Sequence, residues 1–288
     1  MTMGKLYWNR AGHIAIEGND GEMHSYGGTN GLDFKFSGEK VGDIYAQFEC
    51  SILGLSGRTI NELTAWNPAE AFTRQRKIQV FAGYEDGGTE SPIFEGIIVE
   101  AIPTSPPEMW LNFKCLHLGD FTNVVNEPKQ FKDTSLSQIF DEVGAELGLE
   151  TFWTAWNVKP TTKGDFNLEG PRRTLAERFA SQFNVTVYEE DGTLYCRDKR
   201  PQFDEPESIR DISLNTGMIS IGKIDIAGAT IRTRLDDSSK LFSWINLQSV
   251  IIPKANGLYV VIKKKHKGHL RGGEWFTELE TIRQGAAV

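Results

Sequence analysis

The sequence is poor in cysteine, in long apolar runs and in positive charge. Its three cysteines, Cys50, Cys115 and Cys196, lie far apart with no C-x-x-C pair. That pattern predicts buried, reduced thiols in strand-like segments, and neither a disulfide framework nor a zinc site. No apolar run approaches the roughly 20 residues that span a membrane, and the first residues lack an apolar signal core. We therefore expect a protein that is made in a cytosol and does not insert into membranes.

Acidic residues outnumber basic ones by 39 to 31, which gives a formal net charge of −8 and a pI of about 5.3. This balance argues against a dedicated nucleic-acid binder, which usually carries a basic face. It is compatible with a channel through which DNA passes, because an acidic wall repels phosphates and discourages sticking.

Motifs for catalysis are missing as well. The sequence contains no phosphate-binding loop, no H-E-x-x-H zinc helix and no G-x-S-x-G nucleophile elbow. His266 and His269 are three apart, but they fall in a segment expected to be strand and turn, without further ligands. The acidic clusters at Asp236–Asp237 and 189–191 suit either glycosidase carboxylates or solvated turns, and we favour solvated turns. We predict no enzyme, no catalytic residue, no cofactor and no metal.

One charge feature stands out in this acidic chain: Lys263, Lys264, Lys265, His266 and Lys267. The run fits either a solvated hairpin tip or a contact patch for an acidic neighbour. We predict an interface patch. The tryptophans, among them Trp110, Trp153 and Trp156, are open to two interpretations, interface or core packing, and core packing is favoured for each.

Period-two alternation of apolar residues predicts strands over 32–36, 46–52, 78–82, 97–101 and 109–115. So many strands within about 115 residues suggest a closed or nearly closed barrel. A short helix interrupts them at Thr59–Leu63, where Thr59 and Glu62 have the spacing of a capping box.

The middle of the chain changes to a helical period over 133–148, with Ser135 and Gln138 spaced as a capping box and Gly148 as the stop. A second helix is predicted over 171–183, followed by a hairpin that turns at Asp191–Gly192. A polar linker at 200–206 leads to further strands at 224–226, 229–233, 258–262 and 275–282. We predict a mainly β fold with an α+β insertion: a first tube-like β-barrel domain (1–128), an α/β module with two helices and a hairpin (129–203) and a second barrel-like domain (204–288).

The order of these pieces resembles the tail-tube-like central hub proteins in the baseplates of contractile phage tails, including the T-even type. The resemblance spans most of the chain and rests on the following segments: Ser51–Ser56 leading into the helix at Thr59–Leu63, Ile78–Tyr84, Ile93–Ile98, Thr134–Leu136, Leu175–Ala180, Gly257–Val261, His266–Gly268 and Glu274–Thr277. Each motif is weak alone, and their order and spacing carry the likeness.

The resemblance implies a structural subunit of the virion, assembled in the host cytoplasm. Such hubs form a homotrimeric ring in which two barrels per chain mimic the sixfold tail tube. The ring joins the tube, or its initiator, to a central spike, contacts baseplate wedge proteins, and lets the tape measure protein and then DNA pass. Alternatives are a distal-tail or adaptor protein of another tail type, or a β protein that cleaves or binds glycans.

Overall fold

The computed structural model describes residues 9–28, 31–40, 47–64, 76–85, 92–117, 125–154, 165–190, 192–198 and 209–284. The chain divides into two compact units: Met1–Glu39, Gln47–Leu118 and Ile209–Val288 form the first, and Lys40–Ala46 and Gly119–Ser208 form the second. The first unit therefore contains residues from both β-rich regions. This division into two units does not test the predicted boundaries of the three domains, which remain a prediction.

The N-terminal part of the first unit consists of β1 (Arg10–Glu17), β2 (Met23–Gly27), β3 (Phe34–Lys40), β4 (Gln47–Leu53), α1 (Gly57–Thr64), β5 (Lys77–Tyr84), β6 (Phe94–Pro103) and β7 (Trp110–His117). All five predicted strands are confirmed as β3 to β7, which pair antiparallel in the order β3–β4–β7–β6–β5. The first two strands were not predicted. Ile14, Ala15 and Ile16 are buried consecutively, so β1 shows no alternation.

The helix α1 is confirmed, but its predicted cap is wrong. The hydroxyl of Ser56 accepts a hydrogen bond from the Thr59 amide at 3.1 Å, so Ser56 caps the helix, which begins at Gly57. Ile60 and Leu63 lie buried against the sheet, as a helix of this length requires for stability.

The second unit consists of β8 (Val125–Lys132), α2 (Leu136–Leu147), β9 (Glu150–Trp153), β10 (Asp165–Pro171), α3 (Arg172–Phe183), β11 (Val185–Glu190) and β12 (Thr193–Asp198). The Ser135–Gln138 capping box and the left-handed Gly148 (φ 71°) confirm the predicted ends of α2. The predicted hairpin is β11–β12; Asp191 lies outside the described residues. Both helices pack on the three-stranded sheet β11–β12–β9 around Ile139, Phe140 and Phe179.

The C-terminal part of the first unit consists of β13 (Ile209–Ser213), β14 (Met218–Ile224), β15 (Gly228–Arg234), β16 (Trp244–Gln248), β17 (Gly257–His269) and β18 (Trp275–Arg283), with 3-10 turns at Leu214–Thr216 and Pro253–Ala255. The predicted strands 229–233, 258–262 and 275–282 are confirmed within β15, β17 and β18. The prediction of a strand at 224–226 is wrong beyond Ile224, because Asp225 and Ile226 form a turn. The predicted linker at 200–206 lies outside the described residues.

In the described residues, one 13-stranded sheet joins both parts of the first unit in the order β14–β15–β18–β17–β3–β4–β7–β6–β5–β1–β2, with β16 beside β17 and β13 beside β16. The long strand β17 connects them: its first half pairs with β16 and its far end reaches β3. Just beyond that end, Leu270 donates its amide to the Phe34 carbonyl at 2.9 Å.

Each part of this sheet wraps around its own core. The N-terminal core is completed by Leu270 and Trp275 from the β17–β18 hairpin, and the C-terminal core is centred on Ile231, Tyr259 and Leu279. The fold is thus mainly β, with two barrel-like parts and an α/β module, as predicted. All three cysteines are buried and free.

Candidate interaction surface

The predicted lysine patch, residues 263–267, lies along the middle of β17, so the alternative of a solvated hairpin tip is wrong. Because neighbouring side chains in a strand point to opposite faces, the patch splits. Lys264 and His266 are buried, whereas Lys263, Lys265 and Lys267 are partly exposed on the outer face. The structure therefore brings together only three of the five residues on one surface.

The three outward lysines are paired with carboxylates of the same chain. Lys263 and Lys265 both face Glu39 of β3, with the Lys265 nitrogen 4.0 Å from a Glu39 oxygen, and Lys267 lies 2.7 Å from Glu274. Exposed pairs of this kind contribute about 0–1 kcal/mol each to stability. Their main effect is to fix where the charges lie.

The pairing extends across two further strands. Lys265 is opposite Glu278 in the β17–β18 register, and Glu278 is opposite Arg232 of β15, whose Nε lies 2.6 Å from the carboxylate. The outer surface therefore carries charges that alternate in sign from strand to strand at Glu39 of β3, Lys265 of β17, Glu278 of β18 and Arg232 of β15. We call this surface the charged face: Glu39, Lys263, Lys265, Lys267, Glu274, Glu278 and Arg232. Its balance of charge disfavours strong attraction to phosphates.

Behind the charged face, Asp237 holds the two inward residues of the patch. One Asp237 oxygen accepts a hydrogen bond from the Lys264 ammonium at 2.6 Å and lies 3.1 Å from Nε2 of His266. Nδ1 of His266 lies 2.9 Å from the Thr277 hydroxyl, which in turn accepts the Asp236 amide at 3.0 Å. These contacts attach the loop after β15 to β17 and β18.

The electrostatics of this network follow from burial and nearby cations. Burial on its own would raise the pKa of Asp237, but the His266 hydrogen bond and the charges of Lys264 and His266 hold it well below its ordinary value. Burial would also raise the pKa of Asp236, but hydrogen bonds from Ser238 and the charge of Arg210 lower it below its ordinary value. Both carboxylates are ionised partners of a structural network.

The acidic clusters are not solvated turns. Asp236 and Asp237 belong to the network just described, and Glu189 and Glu190 are 3% and 4% exposed in β11. The Glu189 carboxylate accepts the Gly192 amide at 2.7 Å, which closes the β11–β12 turn. Glycosidase chemistry requires two carboxylates across an open cleft, whereas the carboxylates of Asp236, Asp237 and Glu189 are engaged by neighbouring groups of the same chain.

The two histidines three apart lie on opposite faces of β17. His266 contacts Asp237, and Nε2 of His269 lies 2.9 Å from Asp33. Among the residues the structure describes, no group of three His, Cys, Asp or Glu side chains is placed to hold a metal ion. In the same residues, no helix has the length and apolar character needed to cross a bilayer.

The tryptophans divide between surface and core. Trp110 faces away from buried Leu111, with the Lys35 ammonium 4.5 Å from its ring centre. Trp153 packs against Phe140 and Phe179, which confirms core packing there; Trp156 lies outside the described residues.

Sequence reasoning missed a second surface. Ile226, Val250 and Ile251 are 96%, 82% and 79% exposed in two loops of the C-terminal part. The signal available in the sequence was the presence of apolar residues inside segments that form turns. A search for alternating apolar residues instead assigns an isolated aliphatic residue in such a segment to the end of a strand.

Similar solved structures establish the fold. A tail protein from Neisseria meningitidis MC58 aligns with a TM-score of 0.60 at 12% identity, over 97% of this chain and 98% of that one. The 43 kDa tail protein of prophage MuSo2 from Shewanella oneidensis gives 0.59 at 9% identity, over 95% and 98%. An E. coli component of the type VI secretion system, described as structurally similar to T4 bacteriophage tail proteins gp27 and gp5, gives 0.58 at 10% identity, over 88% and 74%. At such identities the likeness establishes a tail-protein fold.

The sequence identifies the family. Residues 22–281 match the baseplate hub gp41 family, and the chain belongs to it. No curated protein sequence matches the chain significantly. Family membership gives the protein a structural role in the baseplate of a phage tail.

Proposed function

We propose that the protein is a hub subunit that forms a homotrimeric ring in a contractile-tail baseplate, joins the tail tube or its initiator to the central spike, and surrounds the channel for DNA ejection. The observation that carries the proposal is the continuous sheet of the first unit. It joins two parts with separate cores in one chain. If each part acts as one tube-like barrel, three chains supply six of them, which matches the symmetry of a sixfold tube.

The edges of this sheet supply a physical route to a ring. In the described residues, β2, β13 and β14 each pair with a single strand, and β14 is exposed along nearly its whole length. An open edge offers unpaired backbone groups to another chain. Contact between two different edges of neighbouring copies is heterologous, and such contacts close into rings when the rotation permits.

The charged face suits a subunit past which nucleic acid moves without being held. Its lysines and arginine are paired with carboxylates of the same chain, which weakens their attraction for phosphates. The spike, tape measure and wedge proteins complete the set of proposed partners, DNA passes in transit only, and assembly takes place in the host cytoplasm. We propose no catalytic activity and no cofactor.

Electron microscopy of the purified chain at high concentration tests the ring. The expected class averages are threefold rings with an open centre and a pseudo-sixfold outline. Compact monomers, both alone and with the tube protein added, would refute the trimeric ring.

A pair of variants tests the role of β14. Ile219→Lys places a charge on the exposed edge strand, and Ile102→Lys places the same charge on β6, far along the sheet from β14, where Ile102 pairs with Asn112 of β7; the two isoleucines are 50% and 49% exposed. We expect Ile219→Lys to abolish rings while its circular dichroism stays unchanged, and Ile102→Lys to retain them. Loss of rings in both variants, or in neither, would exclude β14 as the contact.

A further inference from the structure

Three lysines form one row on the outer face of β17. Lys263, Lys265 and Lys267 have side chains that are 31%, 37% and 39% exposed, and they alternate with buried residues of the same strand. Alternate residues of a strand lie about 6.6 Å apart, which is close to the distance between successive phosphates along one DNA strand. Lysines that neutralise phosphates supply most non-specific binding to DNA. This lysine row therefore has the geometry of a DNA contact.

Carboxylates of the same chain engage all three ammonium groups of the lysine row. Glu39 of β3 directs one carboxylate oxygen at Lys263 and the other at Lys265, whose nitrogen lies 4.0 Å away. A Glu274 oxygen lies 2.7 Å from the Lys267 nitrogen. Because Glu39 engages two of the three lysines, it has the largest effect on the charge of the row.

A third carboxylate lies on the other side of the lysine row. Glu278 of β18 is directly opposite Lys265 in the strand register, and it also contacts Arg232 of β15. Exposed pairs of this kind stabilise a fold very little, so stability does not explain why every lysine of the row has an acidic neighbour. Their larger effect is on charged ligands, because a carboxylate beside each lysine repels phosphates.

We propose that Glu39, Glu274 and Glu278 suppress a latent DNA-binding site formed by the lysine row, and that Glu39 is the main determinant of this exclusion. To bind a phosphate, each lysine would have to leave its carboxylate, which would then lie next to the phosphate and repel it. The inference rests on the proposed function for its biological role, since exclusion of DNA matters to a subunit past which DNA moves.

Fluorescence anisotropy of a short labelled DNA duplex, titrated with the full chain in about 50 mM salt, tests the suppression. We expect Glu39→Gln/Glu274→Gln/Glu278→Gln to bind the duplex at least about tenfold more tightly than the wild type. Raising the salt should weaken this binding with a logarithmic slope of about −2 to −3, as three phosphate contacts predict. Glu39→Gln alone should produce more than half of the gain in binding free energy.

Two controls locate the effect in the lysine row. Glu100→Gln/Glu142→Gln/Glu146→Gln makes the same change in net charge at carboxylates that pair with Lys114 of β7 and Lys129 of β8, which are on different strands. This control should bind DNA no more tightly than the wild type. Changing all three lysines of the row to glutamine in the first variant restores the wild-type net charge and should abolish the gain.

The inference is overturned if the first variant binds DNA no more tightly than the control, or if its gain survives removal of the lysines. Wild-type binding as tight as that of the variant would overturn it as well. Circular dichroism checks that the variant is folded; if it is not, Glu39→Gln alone is judged by the same criteria.

The outcomes for this inference and for the proposed function are separate. Threefold rings without any gain in DNA binding would leave the proposed function standing and overturn the suppression by carboxylates. A gain in DNA binding by a chain that forms no rings, even with the tube protein added, would support the suppression and refute the trimeric ring.

Discussion

Asp237 is the residue on which the inner half of the lysine patch depends. Its carboxylate contacts Lys264, which is fully buried, and His266. Removing one partner of a buried ion pair costs about 3–5 kcal/mol because the remaining charge stays away from water. We expect Asp237→Asn to lower the free energy of unfolding by about 3 kcal/mol, at the low end because the carboxylate is itself 31% exposed. Urea denaturation at pH 7 measures the change.

The matched control is Glu100→Gln, which makes the same carboxylate-to-amide change in an exposed pair. Glu100 lies 2.6 Å from Lys114, and both side chains are well exposed, so we expect a loss of at most about 1 kcal/mol. Equal effects of the two substitutions would mean that burial of Lys264 does not strengthen its pairing with Asp237.

The same carboxylate makes stability depend on acidity. The folded-state pKa of Asp237 is held well below the ordinary value of 3.8 by His266 and Lys264 against the effect of burial. A depressed pKa adds stability that is present above the unfolded value and is lost as pH falls below it. We expect the stability difference between wild type and Asp237→Asn to shrink as pH falls from about 4 to 3. Urea midpoints of both proteins at each pH test this, and a difference that grows over this interval would contradict it.

At the scale of elements, α2 depends on its first turn. Ser135 accepts the Gln138 amide at 3.3 Å, and the Gln138 side chain accepts the Ser135 amide at 3.4 Å. Losing a serine cap costs about 1 kcal/mol. We therefore expect Ser135→Ala to destabilise the second unit by that amount, measured as a lower urea midpoint by far-ultraviolet circular dichroism. Ser181→Ala, an exposed position inside α3, should be neutral or slightly stabilising, because alanine is the better helix former.

Sequence periodicity predicted the elements in which the pattern of buried residues is visible within the element's own sequence. β3 and β7 bury one face and alternate cleanly, and α2 carries both of its end signals. β17 was predicted only as far as Ile262, because its second half reads as a run of charge. Asp237, 27 positions before Lys264, supplies a counter-charge to the buried ammonium of that half of the strand. The stabilising partner is distant in sequence, so no local pattern reveals it.

The candidate surfaces were predictable to different degrees. The lysine patch was found from composition, but its division into an outer and an inner half required the strand assignment and the position of Glu39 on β3. The exposed aliphatic residues were missed because exposure of Ile226 and Val250 depends on where two loops end in the assembled sheet. Charge can be read from a sequence, whereas exposure is a property of the tertiary fold.

At the scale of the whole molecule, the two ends of the chain share a core. Trp275 of β18 packs against Phe34 and Phe36 of β3, with ring centres 6.2 and 5.6 Å apart, and its indole donates to the Gly83 carbonyl at 3.1 Å. Removing a buried aromatic side chain costs about 3–5 kcal/mol. A substitution near the C-terminus should therefore loosen strands near the N-terminus.

Native-state hydrogen exchange measures this coupling. In Trp275→Ala we expect the opening free energies of amides in β3 and β4 to fall by the same amount as those in β15 and β18, because residues within one cooperative unit open together. Trp110→Ala, which removes a partly exposed indole from the outer face of β7, should leave these amides nearly unchanged. If protection falls only in β15 and β18, the two parts of the sheet unfold separately in spite of their shared core. A common fall would mean that a ring contact made through β14 also stabilises the N-terminal barrel-like part of the same chain.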